Sequence, residues 1–400
     1  MDLRTDSPYW LMKNGFVYSY PSLNHSVKTE VAIIGGGITG ALIAYHLTQA
    51  GISTVVLDKR KIGMGSTCAS TALLQYEIDT PLNQLQSLVG EKNANRSYLL
   101  CVEAIKKIES ITKTLQKDVG FENKQSFYYA SRKKDLDELE KELELRQKIG
   151  IEVEFWTQEK IEKHFSFSAP GALMSSSGAQ IDAYRFTHEL FQWAKARQCQ
   201  VFDDTTVEEM VHHKNGVTLK TEQGHTVDAK KLIIACGYES QNYLTKKIVD
   251  FNSSFAVVSE PVPMEDIWYH NCLIWETARP YLYIRTTSDS RILIGGKDEP
   301  FYSPTKRDAL NKRKAAQLED AFKRKFPNIP FRVDFKWAGT FAETADGLPY
   351  IGKVKEHPHT YFAMGFGGNG IVFSLLAAEI IRDELEGKKN ADASIFKFDR

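Results

Sequence analysis

The sequence predicts an α/β protein in which a discontinuous parallel-sheet domain carries an inserted antiparallel-sheet domain. Three observations carry this expectation. Short, uniformly apolar runs alternate with helical periodicity near both ends of the chain; alternating, aromatic-rich segments lie between them; and both terminal blocks turn on clustered glycines. At 400 residues the chain exceeds what one small core commonly supports, so two domains are expected.

The elements follow in order. Residues 1–29 read as an irregular aromatic arm. Val31 to Ile34 reads as a buried parallel strand, Leu42, Tyr45, His46 and Leu47 follow helical spacing, and Thr54 to Leu57 reads as a second buried strand. A polar loop over 60–72 precedes a helix over 92–117 and a strand over 126–131. Regularly spaced charges with Leu136, Leu139 and Leu143 predict a helix packed on one side only. Residues 181–202 read as a helix entering a strand, and 230–237 as a buried strand ending at glycine. Antiparallel strands are expected over 251–296, a helix over 305–325, and a strand, glycine turn and terminal helix over 362–385. The parallel domain is accordingly assigned to 30–90, 165–250 and 335–400, and the inserted domain to 91–164 and 251–334.

Composition narrows the function classes. Lys and Arg number 51 against 51 Asp and Glu, so no global basic field exists to gather nucleic acid. Five scattered cysteines without a CxxC pair, and histidines without metal spacing, predict neither a disulfide framework nor a bound metal. The longest apolar run, Val31 to Leu47, is crowded with glycines and does not read as a membrane span, and the N-terminal residues lack a leader pattern. A cytoplasmic location is expected.

The first β-α-β unit carries the chemistry. Gly35, Gly37 and Gly40 obey GxGxxG, and Asp58 stands 23 residues past Gly35 at the end of the second strand. Gly35 permits the sharp turn, Gly37 the approach of backbone amides to a pyrophosphate, and Gly40 close helix-to-sheet packing. The helix start supplies free N–H groups and a positive dipole end, while Asp58 suits ribose hydroxyls. Ser66, Thr67, Ser70 and Thr71 are suited to a second phosphate and a flat ring. GFGGNG followed by an apolar helix predicts a second dipole-positive terminus, suited to the charge that a reduced flavin gathers at N1/C2=O.

On these residues the chain resembles the FAD-dependent oxidoreductases of the D-amino-acid oxidase superfamily, the group that includes glycine oxidase, monomeric sarcosine oxidase and γ-glutamylputrescine oxidoreductase. The resemblance rests on IIGGGITGALIAYHL, VVLDKRKIGMGST, IDAYRFTHEL, IIACG, WAGTFAETADGLPYIG and MGFGGNGIVFSLLAAEII. It implies a Rossmann-like FAD-binding domain. Gly35, Gly37, Gly40, Asp58 and Lys59 would hold the ADP half of FAD, with Val207 beside adenine. Ser66, Thr67, Ser70, Thr71, Cys236 and Gly237 would follow the pyrophosphate and ribityl chain. Asp346 and Gly347 match the family's Asp-Gly, and Gly367, Gly368, Asn369, Gly370 and Ile371 match its flavin-edge turn. No cysteine follows Cys272, and Cys68-Ala69 stands where histidine-linked relatives carry their histidine, so noncovalent FAD is expected.

The resemblance further implies oxidation of the C–N bond of an amine or N-substituted amino acid by hydride transfer to flavin N5, with hydrolysis of the imine. Tyr281, Tyr283 and Arg285 alternate on one strand face, and Tyr283 and Arg285 are candidate substrate anchors; Trp337 is a candidate wall. Phe341 occupies the position where the amino-acid oxidases place a carboxylate-binding arginine, which disfavours a simple α-amino acid. Leu293 stands in place of the lysine that promotes reaction with oxygen in sarcosine oxidase. The expected partners are therefore a small amine or amino acid together with oxygen or another electron acceptor, and a homodimer is an open option. The alternatives are a dehydrogenase of an amine or 2-hydroxy acid that passes electrons elsewhere, and a flavoprotein subunit whose catalysis has decayed.

Overall fold

A computed structural model describes residues 1–5 and 7–400. Five parallel strands run in the order Thr360–Met364, Thr226–Ile234, Val27–Ile34, Thr54–Leu57 and Gln200–Phe202, with Tyr350–Lys353 antiparallel on the first edge. The hairpin Val207–His213 and Gly216–Thr221 extends from the start of Thr226–Ile234. These strands are apolar on both faces because both are covered. Val31, Ile33, Val56 and Ile233 face the core shared with helices Ile38–Gln49, Ala183–Lys195 and Gly370–Leu385, whereas Ala32, Ile34, Val55 and Leu57 meet the hairpin's Val217 and Leu219.

The helix Ile38–Gln49 is buried over most of its length, which its small and apolar residues permit. Gly40 is indispensable to that packing: a Cβ there would stand 1.9 Å from the Gly35 carbonyl oxygen. Thr39 Oγ1 and Ser374 Oγ, 2.8 Å apart, join this helix to Gly370–Leu385.

The second sheet runs Val333–Glu343, Asp250–Ser259, Ile292–Glu299, Tyr283–Thr286, Leu273–Glu276, Glu122–Tyr129, Gly171–Gln180 and Leu73–Leu74, with Val153–Thr157 also on Gly171–Gln180. Its pairs are antiparallel except Leu273–Glu276 with Glu122–Tyr129. One face packs on helix Pro304–Lys325 through Leu318 and Phe322, and part of the other closes the cavity described below.

The observed sheets divide the chain differently from the expected domain limits. Leu73–Leu74, Gly171–Gln180 and most of Val333–Glu343, assigned above to the parallel domain, are strands of the second sheet. The helix Glu91–Leu115, assigned to the inserted domain, contributes Tyr98, Cys101, Ile105 and Ile108 to the parallel sheet's core. An apolar strand or helix seam reads the same whichever layer receives it, because the partner lies far away in sequence. The N-terminal arm is more ordered than expected. It forms helix Tyr9–Asn14, buries Tyr9 and Trp10, and donates Trp10 Nε1–H to Ser70 O at 2.6 Å. Among the described residues, no helix is long and apolar enough to cross a membrane, and no group of His, Cys, Asp and Glu is placed to hold a metal.

Candidate active site

The carboxyl ends of the parallel strands open onto a cavity of about 410 Å³ whose opposite wall is the second sheet. At one end lie Gly35, Gly37, Asp58, Lys59, Val207, Cys236 and Gly237. Asp58 Oδ2 accepts from Gly36 N–H at 2.7 Å and Oδ1 from Arg60 N–H at 2.8 Å, which fixes the carboxylate at the strand end. Burial raises Asp58 to about 6, and those two N–H groups limit the rise. Thr67 Oγ1 accepts from Ile38 N–H at 3.0 Å at the start of the first helix. A Cβ on Gly37 would stand 2.9 Å from that hydroxyl, so the passage beside the helix start is kept open by glycine.

Ser66, Thr67, Ser70 and Thr71 line the middle of the cavity, and Gly367 to Ile371 lead into helix Gly370–Leu385 at its far side. Asn369 donates Nδ2–H to the carbonyls of Gln75 and Glu77, at 3.0 and 2.8 Å, tying that turn to the 75–79 segment. Two helix N-termini thus flank one elongated cavity, with an acidic strand end at one extremity and a glycine turn at the other. This donor set fits FAD: Gly35, Gly37 and Asp58 would suit its nucleotide half, Ser66 to Thr71 the pyrophosphate and ribityl chain, and Asn369 to Ile371 the flavin.

Aromatic and acidic side chains furnish the wall from the second sheet. Trp337, Phe341, Tyr283, Tyr281, Trp275, Ser254 and Asp298 line it, with Tyr238 and Asp79 opposite. Trp337 Nε1 donates to Ala69 O at 2.8 Å, holding the indole against the Ser66–Thr71 loop. Asp79 is held by Tyr281 O–H at 2.9 Å and by Gly368 N–H at 2.8 Å. Gly368 therefore lines the cavity with its amide already engaged. Burial, with the nearby Asp298 adding, raises the Tyr283 phenol well above its ordinary range, so it is a neutral hydrogen-bonding group at any physiological pH.

Four of the expected site residues stand off the cavity wall. Arg285 is 1% exposed, and its Nη1 donates to the carbonyls of Thr71, Ala72 and Ile181 at 3.1, 2.5 and 3.2 Å, with Nε on Thr286 O at 3.0 Å. The expectation that it projects beside Tyr283 as a substrate anchor is corrected: the guanidinium pins the 71–72 segment and the 181 turn to the sheet. Gly40 acts through packing. Asp346 pairs with Arg400 at 2.8 and 3.0 Å and accepts Leu348 N–H at 3.0 Å, while Gly347 takes a positive φ of 76° in the same turn. Asp346 and Gly347 shape the entry to strand Tyr350–Lys353.

The residues that sequence reasoning missed are mainly acidic: Asp79, Asp298 and Glu77, together with Trp275 and Tyr238. Asp298 had a misleading signal. Leu293 and Gly295 share one strand face, and simple alternation continues to Lys297. A bulge intervenes, marked by a register shift opposite Ser253 and Phe255 and a positive φ of 59° at Lys297, and it carries Asp298 to the cavity instead.

A family model described as FAD dependent oxidoreductase matches residues 30–384. Among curated relatives, γ-glutamylputrescine oxidoreductase of Escherichia coli K12 is 24% identical over 398 residues, covering 97% of this chain and 90% of that protein. Glycine oxidase of Bacillus subtilis strain 168 is 24% identical over 391 residues, covering 93% and 97%. The crystal structure of glycine oxidase from Geobacillus kaustophilus superposes with a TM-score of 0.75 at 21% identity, covering 92% of this chain and 96% of that one.

Proposed function

The chain belongs to the FAD-dependent oxidoreductase family, whose members here act on CH–NH or CH–NH2 donors, and on that premise we propose that it oxidises the C–N bond of an amine or N-substituted amino acid with noncovalently held FAD. The observation that carries this reading is that, among the described residues, no cationic side chain lines the substrate half of the cavity. Phe341 lines it, Arg285 is engaged by four carbonyls, and the lining residues Lys59 and Arg60 lie at the nucleotide end beside Glu239. A carboxylate pressed against Phe341 would lose hydration with no partner in return, at a cost of several kcal/mol.

FAD, when bound, supplies the two-electron acceptor for the hydride that leaves the substrate carbon. The protein's own task is positional. Trp337, Tyr283 and Phe341 exclude water from the reacting carbon, and the amine nitrogen loses its proton as the C=N bond forms. Water then hydrolyses the imine to a carbonyl compound and an amine. Noncovalent attachment is supported by the thiols. Cys68 is fully buried with Sγ 3.4 Å from Gly65 O, and burial raises it to about 11; Cys236 lies at the nucleotide end with Sγ on Ile34 O at 3.2 Å.

A second reading, transfer of electrons to an acceptor other than oxygen, is favoured by one residue. Leu293 is fully buried in the cluster of Trp10, Cys68 and Trp337, and offers no charge that would favour oxygen reduction. Anaerobic stopped-flow mixing tests the first reading: secondary amines or N-alkylated amino acids bleach the flavin faster than glycine or D-alanine. If the simple amino acids are the best reductants, the reading fails. Timed reoxidation in air then separates oxidase from dehydrogenase.

A further inference from the structure

The substrate half of the cavity is acidic, and its polar groups are not mutually satisfied. Asp298 Oδ1 is sealed from bulk solvent and has no hydrogen-bond partner. Trp275, 5% exposed, lines the same cavity with its Nε1–H unpartnered. A native interior leaves few such atoms, and four residues lining this one cavity, Gln75, Glu77, Trp275 and Asp298, each carry one, which marks where a ligand is received. We propose, building on the amine-oxidation reading, that the substrate carries a second cationic group, an ammonium or guanidinium remote from the oxidised carbon, and that Asp298 receives it with Asp79 and the rings of Tyr281, Tyr283 and Trp275.

The groups around Asp298 come from every neighbouring element. On its own strand, Glu299 pairs with Lys314 at 2.5 Å, and Lys297 is turned away by the bulge. Lys314, from helix Pro304–Lys325, also donates to Lys297 O at 2.8 Å, so its charge is engaged. Ser254 stands on the adjoining strand. One strand further, Glu343 Oε2 accepts from Asn252 Nδ2–H at 2.8 Å. Asp79 approaches from the 75–79 segment, and the exposed Arg279 donates to the Asp79 carbonyl at 3.1 Å with its guanidinium 4.9 Å from the centroid of the Tyr281 ring. Burial, with Glu343 and Asp79 adding, raises Asp298 to about 7 against the opposing Ser254 hydroxyl hydrogen bond and the Lys314 charge.

A cation at this point reverses those penalties together. It supplies the missing charge to two carboxylates and faces three aromatic rings, Trp275 and Tyr281 at 6.1 Å and Tyr281 and Tyr283 at 5.9 Å between centroids. A substrate carboxylate would meet the same negative field and be repelled. The site therefore discriminates by charge sign at its far end and by geometry at the reacting carbon.

The test uses the protein with its FAD reduced beforehand, kept anaerobic so that no hydride can transfer, and isothermal titration with three matched series: α,ω-diaminoalkanes of three to six carbons, n-alkylamines and ω-amino acids of equal length. The best diamine should bind at least ~10-fold more tightly than its matched monoamine, and the ω-amino acid most weakly. Diamine affinity should rise between pH 6 and 8 in the native protein, as Asp298 gives up its proton, and stay flat in Asp298→Asn. That variant should lose the ~10-fold preference while keeping its affinity for monoamines. Equal binding of diamine and monoamine, or preference for the ω-amino acid, overturns the proposal. Should Asp298→Asn fail to fold, Asp79→Asn gives the comparison of diamine with monoamine, in which the preference should fall. Because binding is read without turnover, a chain that ranks the ligands as stated yet bleaches with none of them refutes amine oxidation and leaves the cation site standing.

Discussion

The Tyr283 phenol lies directly across Gly295, its partner on the neighbouring strand: a Cβ at 295 would stand 2.3 Å from both Cζ and Oη of the ring. Glycine there lets the tyrosine fold flat over the sheet and form the cavity wall. Gly295→Ala should drive the ring off its position at a cost of ~1–3 kcal/mol. The variant should retain FAD, seen by visible absorption, but saturate with amine at higher concentration. Unchanged saturation would remove Tyr283 from the substrate wall.

Arg285→Met should act on stability before it acts on substrate. Three buried carbonyls, of Thr71, Ala72 and Ile181, would lose a charged donor. Each buried group left unpaired costs ~1–3 kcal/mol, so a loss of several kcal/mol is expected in chemical denaturation. A stable variant with weakened carboxylate-substrate binding would restore Arg285 as an anchor.

Two glycines of the first motif should fail differently. Gly40→Ala places a Cβ 1.9 Å from Gly35 O and should destabilise the fold itself, with or without cofactor. Gly37→Val narrows the passage beside Thr67, so the protein should fold yet purify colourless. Circular dichroism and flavin absorption, measured side by side, separate the two outcomes.

Between pH 4 and pH 7 the cofactor-free protein should lose stability as pH rises, through Asp298. Its folded value, about 7, lies above the ordinary aspartate value of 3.8, so the fold favours the neutral acid. The contribution is fully present below pH ~4 and is lost as pH climbs through 7. Asp58, raised to about 6, acts in the same direction. Glu239 acts oppositely: burial works against its charge, but Arg60, the N-terminal amine and Lys59 together hold it at about 2, so its contribution is lost only in acid. Thermal melting across pH should show the native protein losing stability more steeply than Asp298→Asn between pH 4 and pH 7. Parallel curves for the two proteins would place the effect elsewhere.

Acid or guanidinium denaturation should release all flavin into the supernatant. Yellow colour retained on the precipitated chain would contradict noncovalent attachment, and peptide mapping would then identify the linked residue.

Much of the nucleotide end was legible because its determinants are local. Gly35, Gly37 and Asp58 are joined by one strand, one turn and one helix; Gly37 and Asp58 answer constraints within thirty residues of themselves, and Gly35 combines the local positive φ of its turn with a close approach to Ala235 that lies far away in sequence. Arg285 was misread for the opposite reason. Strand alternation gave its side, but three of the four carbonyls that engage it come from residues more than a hundred positions away.

The sequence by itself determined the β-α-β unit, the two glycine-led helix starts and the loss of an arginine at position 341, since backbone conformation and side-chain chemistry at those points need no distant partner. Tertiary structure alone decided the charge at the far end of the cavity. Alternation along Ile292–Glu299 continues from Leu293 and Gly295 to a lysine, but the bulge at Lys297 advances the face by one residue and presents an aspartate. A period of two carries no record of an inserted residue until the neighbouring strand fixes the register.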